Sequence, residues 1–330
     1  MASNFPPDPS SVRYDGVWTH RDVHANGIRL HVASAGPGEN RAAGPDAPAA
    51  QLVVLLHGFA DFWWTWRHQL TALAELGYHA VAVDLRGYGD SDKPPRGYDG
   101  WTLAGDIAGL IRALGYSDAT LVGHADGGLV CWATAVLHPR LVRGIAVVSS
   151  PHPAALKSSI WRDNAQRRAF LPGFLRAQLP RYPEHLLTRE DGRGAAELLT
   201  ARCSPSWSDT AECADTAARM ASAIRIPGSA HCALEYQRWA FRSQWRPDGR
   251  RFIAVMRKPV DIPVVSIRGE FDRYILPHTV HRAPHLSPRR RVVTVRDAAH
   301  FAHQENPDAV NAEIAKLLAG EGPRRRDSST

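Results

Sequence analysis

Three separated stretches of this chain hold residue types that could act together on one bond. Gly123-His124-Ala125-Asp126-Gly127-Gly128 lies between a β-branched apolar run and an apolar helical pattern. Much later, Asp272 follows one apolar run and His300 follows the last one. A carboxylate fixes the tautomer and orientation of an imidazole, and the imidazole can then serve as a general base. A strand turning sharply into a helix, with glycines on either side, presents one side chain at the strand tip above the helix N-terminus. The middle position of that frame is Ala125, and a methyl group attacks nothing. Asp126 comes next, at the helix start, where free N–H groups and the helix dipole favour a carboxylate. It is a candidate displaced nucleophile or an anchor for a polar substrate, set against the plainer role of a helix-terminal carboxylate.

The surrounding elements must bring these residues together. Residues 17–24 and 28–33 alternate about Asn26-Gly27, a hairpin signal. Residues 36–50, rich in Gly, Pro and Ala, read as a surface insertion. Short apolar runs at 51–56, 79–84, 119–122 and 143–149 read as buried strands, and helical patterns cover 62–76, 101–114 and 126–137. This alternation predicts a mostly parallel, doubly wound α/β sheet whose active crevice lies at the carboxyl ends of the strands. His57, Arg86 and Ala125 all fall just past such ends.

The alternation then stops. Residues 151–258 show helical patterns and turn signals without a clear strand, and predict a helical cap over the crevice. Strand signals resume at 262–268 and 291–295, and 307–319 forms a closing amphipathic helix. The expected divisions are a flexible N-terminus (1–16), a first core part (17–150), the cap (151–258), a second core part (259–319) and a disordered tail (320–330).

Composition narrows the class. Hydrophobic residues make up 44% and charged residues 22%, ordinary for a globular protein. The start of the chain carries neither a basic segment nor an apolar run, so no signal peptide is expected. No apolar stretch nears the roughly 20 residues of a membrane span. The net charge of +7 comes from scattered arginines without interleaved aromatics, which argues for a solvated surface and against nucleic acid. The four cysteines lack metal-ligand spacing and read as free thiols of a cytoplasmic protein. No metal or cofactor is expected, and the oligomeric state is left open.

His57-Gly58-Phe59, the string FWWTWRHQ at 62–69, DLRGYGDSD at 84–92, GHADGG at 123–128 and Ala299-His300-Phe301 together resemble the epoxide-hydrolase branch of the α/β-hydrolase superfamily. The resemblance spans residues 17–319, strongest in the core. It implies an elbow aspartate attacking the substrate carbon, a histidine–acid pair activating water against the resulting ester, and two cap tyrosines protonating the opening oxygen. Asp272 and His300 fit the pair. Backbone N–H groups of Phe59 and Asp126 fit an oxyanion hole, although the turn at Phe59 could also be a plain strand-to-helix connection. Ala125 occupies the nucleophile position. One cap tyrosine would fall near Gly173 and the other at Gln237, so Tyr182 and Tyr236 are the nearby candidates, with packing as their alternative role.

His57, Trp63, Tyr182 and Tyr236 are assigned to the pocket. Trp64 and Trp66 belong to its aromatic wall, and His124 is a structural hydrogen-bonding residue. The resulting expectation is a hydrolase acting on a small or medium apolar substrate through His300 and Asp272, with Asp126 or activated water in place of the usual nucleophile. The alternatives are a catalytically silent pseudoenzyme that binds a small ligand, and a lyase using the base alone.

Overall fold

The computed structural model describes residues 6–38 and 50–320. Its sheet holds β1 (Thr19–Ala25), β2 (Ile28–Ala35), β3 (Leu52–Leu56), β4 (His79–Val83), β5 (Ala119–His124), β6 (Val142–Val148), β7 (Val264–Gly269) and β8 (Arg290–Val295). Their spatial order is β1-β2-β4-β3-β5-β6-β7-β8. The β1–β2 hairpin and the β2–β4 pair are antiparallel; every pair from β4 to β8 is parallel. β3, β4 and β5 are buried along their whole length, which explains their largely apolar sequences: helices cover both faces.

Helices α1 (Arg67–Glu75), α2 (Gly100–Ala113) and α3 (Asp126–Leu137) follow β3, β4 and β5. α2 and α3 pack together, and their apolar stripes, including Leu103, Ile107 and Val130, join the core on one face of the sheet. α1 contributes Leu70 and Leu73 to the core on the other face. The helical pattern expected over 62–76 begins with a tighter 3-10 turn, Trp63–Trp66, before α1. There the N–H of Trp63 is drawn to Asp84 Oδ1 at 2.9 Å, a tertiary bond that local spacing does not reveal.

Between β6 and β7 the chain makes seven helices and, among the described residues, no strand. They are α4 (Pro153–Arg162), α5 (Asn164–Ala177), α6 (Tyr182–Thr200), α7 (Pro205–Ser208), α8 (Ala211–Ile224), α9 (Ser229–Arg242) and α10 (Pro247–Val255). α6 is broken at residues 189–192, where Glu190, Asp191 and Gly192 take positive φ. A last long helix, α11 (Pro307–Leu318), packs beside α1.

The flexible N-terminus expected over 1–16 needs correction for its described part. Asp8 caps a 3-10 helix at Pro9–Val12, and Val12 is fully buried. The indole N–H of Trp63 donates to the Val12 carbonyl at 2.8 Å, and Arg13 pairs with Asp22 and Asp90. Residues 1–5, residues 39–49 of the expected surface insertion and residues 321–330 of the expected tail lie outside the described residues.

The loop after β4 is pinned by a buried ion pair. Arg86 donates to both oxygens of Asp106 on α2, at 2.7 and 2.6 Å. Removing one partner leaves a buried charge uncompensated. Asp106→Ala is therefore expected to cost about 3–5 kcal/mol in urea unfolding, far more than an exposed pair would.

Candidate active site

The site is built on the turn between β5 and α3. Ala125 adopts φ 45° and ψ −112°, a conformation that an L side chain rarely takes. Three contacts hold it there. Its N–H donates to Val148 O at 3.1 Å, its carbonyl accepts from Ser150 Oγ at 2.8 Å, and the same carbonyl begins the α3 ladder at Leu129 N. The flanking glycines are a steric requirement. A Cβ at Gly127 would lie 2.2 Å from the Leu56 carbonyl oxygen, and one at Gly123 would lie 2.6 Å from Cys131 Sγ. The tip of the turn thus presents a methyl group.

β7 and β8 bring the other two residues to the same edge. Asp272 Oδ2 lies 3.1 Å from His300 Nδ1, and both residues are buried. A carboxylate only accepts, so Nδ1 carries the proton and Nε2 keeps its lone pair. Burial works against the Asp272 charge. The His300 imidazole and the backbone N–H of Ile275 outweigh it and hold the carboxyl below its ordinary range. His300 lines a cavity of about 260 Å³ together with Phe59, Ala125, Asp126, Tyr274 and Arg202. The arrangement is an oriented base facing a bare methyl across a small chamber.

A second cavity of about 450 Å³ adjoins it, walled mainly by apolar side chains of the helical insertion such as Trp161, Trp239 and Phe252. Asp126 and Gln237 line both chambers. Gln237 Nε2 donates to Asp126 Oδ2 at 2.5 Å. Asp126 is half-buried, with surface facing the chambers, and the chain around it shields it from bulk water. That burial raises its carboxyl to about 6, against the opposing pull of Gln237, Arg202 and His300.

Several residues assigned to the pocket from sequence sit elsewhere. The His57 ring is fully buried, accepting from Leu85 N at 3.1 Å and contacting Gly58 O; burial lowers it to about 4, and it lines neither cavity. Trp63 is fully buried against Val12 and likewise lines neither chamber. Tyr182 is 51% exposed at the start of α6 and lines neither chamber, although its neighbour Pro183 lines the smaller one. Tyr236 lends its ring to the apolar chamber, but its hydroxyl donates to Arg86 O at 2.8 Å and is thereby occupied. Phe59 does line the smaller chamber, and so does Gly173.

Two residues escaped the sequence reading. Tyr274 stands edge-on to His300, with ring centroids 5.2 Å apart, and the Arg202 guanidinium lies 4.1 Å from the Tyr274 ring centre. The Arg202 carbonyl accepts from His300 N at 3.0 Å. Tyr274 could have been suspected from its place two residues after Asp272; Arg202 carries no local signal.

Behind the elbow, Asp61, His124 and His303 form a buried group whose ligating atoms lie within 4.8 Å of one another. Burial pushes the Asp61 carboxyl up to about 7 and both imidazoles well below their ordinary value, so both imidazoles are neutral and the carboxyl is partly protonated near neutral pH. His124 Nε2 reaches the His300 carbonyl at 3.1 Å. We read the group as a polar support for the His300 backbone.

A mostly parallel sheet, a strained strand-to-helix turn and an acid–histidine pair at its carboxyl edge define a class. The alpha/beta hydrolase fold family matches residues 51–307, and the chain belongs to it. Among curated relatives, Epoxide hydrolase 3 of Xenopus tropicalis is 31% identical over 89% of this chain and 75% of its own length. Epoxide hydrolase A of Mycobacterium tuberculosis is 33% identical over 79% of this chain and 69% of its own. The AB hydrolase superfamily protein YfhM of Bacillus subtilis is 30% identical over 90% of this chain and 96% of its own. A mutant epoxide hydrolase from Bacillus megaterium, solved with its product (R)-3-[1]naphthyloxy-propane-1,2-diol, superposes with a TM-score of 0.76 at 27% identity, covering 91% of this chain and all of that one.

Two stability measurements check this anatomy. Relief of the strain at Ala125 is worth about 1–3 kcal/mol and the added chain entropy of glycine opposes it by about 0.5–1 kcal/mol, so Ala125→Gly is expected to stabilise the fold by about 1 kcal/mol in denaturant unfolding. Tyr236→Phe leaves the Arg86 carbonyl without its donor. It is expected to lower the unfolding free energy by about 1–3 kcal/mol.

Proposed function

We propose that this chain is a hydrolase of epoxide-hydrolase type in which water itself attacks the substrate carbon. His300 Nε2 takes a proton from that water while Asp272 holds the ring and stabilises the imidazolium that forms. Ala125 occupies the place of a nucleophile and leaves room for the water. The helical insertion acts as a cap, and its apolar chamber takes the body of a small or medium apolar epoxide. The N–H groups of Phe59 and Asp126 are suited to steady oxygen charge near the turn. The observation that carries this reading is the His300–Asp272 hydrogen bond at the wall of a chamber that also holds Ala125.

One observation favours a second reading. Ala125 removes the group on which a two-step reaction through a covalent ester would depend. A protein so altered could bind a ligand in the same chambers and turn nothing over.

A panel of epoxides separates the two. The first reading expects diol from the parent protein and a loss of about 100-fold or more in His300→Ala. It also expects ¹⁸O from labelled water in the diol of the very first turnover. Unlabelled oxygen in that turnover would mean that a carboxylate attacks first. Ligand binding without diol from any epoxide, together with diol after Ala125→Asp, would establish the silent binder.

A further inference from the structure

Opening an epoxide ring leaves a developing alkoxide. It needs a proton as the carbon–oxygen bond breaks, and His300 cannot supply one while taking one from water. The hydroxyl of Tyr236 is held by the Arg86 carbonyl, and Tyr182 is 51% exposed and lines neither chamber. Asp126 lies where the apolar chamber meets the one lined by His300. Gln237 Nε2 occupies its Oδ2 at 2.5 Å, which fixes the plane of the carboxyl and leaves Oδ1 for a proton. Resting on the hydrolase reading above, we propose that Asp126 is the general acid, giving its proton to the opening oxygen while His300 takes one from the attacking water.

The step balances. A bond forms between water oxygen and the substrate carbon as the ring carbon–oxygen bond breaks. One water proton passes to His300 Nε2, and the Asp126 proton passes to the alkoxide. The histidine then returns a proton to the Asp126 carboxylate through water, so epoxide and water become diol with nothing else consumed.

The surroundings suit that role. The titratable groups that act on Asp126 or face it are Arg202 from the insertion, His300 and Tyr274 from the loops after β8 and β7, and Tyr88 from the loop after β4. Arg202 and His300 favour the anion; burial outweighs them and keeps the carboxyl near 6, so a useful fraction is protonated close to neutral pH. The Tyr274 phenol, raised further above its usual value by burial, is a much weaker acid. Gln237 acts on Asp126 and is a positioning residue.

The test is the pH dependence of epoxide turnover in four proteins: parent, Asp126→Asn, Gln237→Leu and His300→Ala. An acid must be protonated to work, so parent turnover should fall as pH rises through about 6. Asp126→Asn should lose about 100-fold or more and lose that limb. Gln237→Leu removes a bond that favours the anion, so the limb should move to higher pH. That shift distinguishes a proton donor from a merely structural carboxyl, and it is read on another helix should Asp126→Asn fail to fold. An unmoved limb in Gln237→Leu, or Asp126→Asn within a few fold of the parent while His300→Ala is dead, overturns the acid role and leaves the hydrolase reading standing. An inactive parent overturns both.

Discussion

The backbone at Ala125 is the constraint on which the site depends. A residue at φ 45° and ψ −112° stores about 1–3 kcal/mol, and it persists only where its neighbours over-determine it. Val148, Ser150 and the first turn of α3 do so here. The turn changes the chain's direction within one residue. That places the start of α3 against the carbonyls of Leu56 and His57, an approach so close that only a glycine fits at 127. It also sets Asp126 facing the chambers. The tip of the turn is a methyl group, and the residue that follows lines both chambers.

Two carboxyls within this site feel opposite environments. Asp126 sits at a helix N-terminus, which by itself would favour its charge. Burial is the larger effect, and the carboxyl rises to about 6. Asp272 is also buried, yet it falls below the ordinary range, because His300 and the backbone N–H groups of Tyr274 and Ile275 all donate to it. Desolvation is common to both; at Asp272 the attraction and hydrogen bond of His300, with the backbone donors, outweigh it, and at Asp126 the opposing groups do not. A carboxyl held partly neutral can donate a proton, and a carboxylate held charged can orient an imidazole, so the two environments suit different tasks.

The strands and the first helices were legible because a doubly wound sheet demands unbroken apolar runs, and those runs are plain in the sequence. Asp272 and His300 were legible for the same reason, since they stand just past strand ends. The missed assignments share a different cause. Trp63 looked like pocket wall because its partner, Val12, lies 51 residues away in a segment that resembled a loose terminus. Tyr236 looked like a site hydroxyl, since helical spacing does not say that the Arg86 carbonyl, 150 residues earlier, takes its hydrogen. Gln237 meets Asp126 across 111 residues, again through tertiary docking alone.

The same docking contacts bear on how the chamber is formed. Among the contacts by which the helical insertion meets the rest of the chain are Tyr236 on Arg86, Gln237 on Asp126, and the Arg202 carbonyl on the His300 N–H. Arg86 is in turn locked to α2 by Asp106. Gln237 on Asp126 and Arg202 on His300 join residues that line the smaller chamber, so a shift of the insertion there disturbs the Asp126 carboxyl and the His300 backbone. The contact at Arg202 is backbone to backbone and constrains no side chain, which is why nothing in the local sequence marks that residue. These contacts tie the placement of the insertion to that of Asp126 and His300.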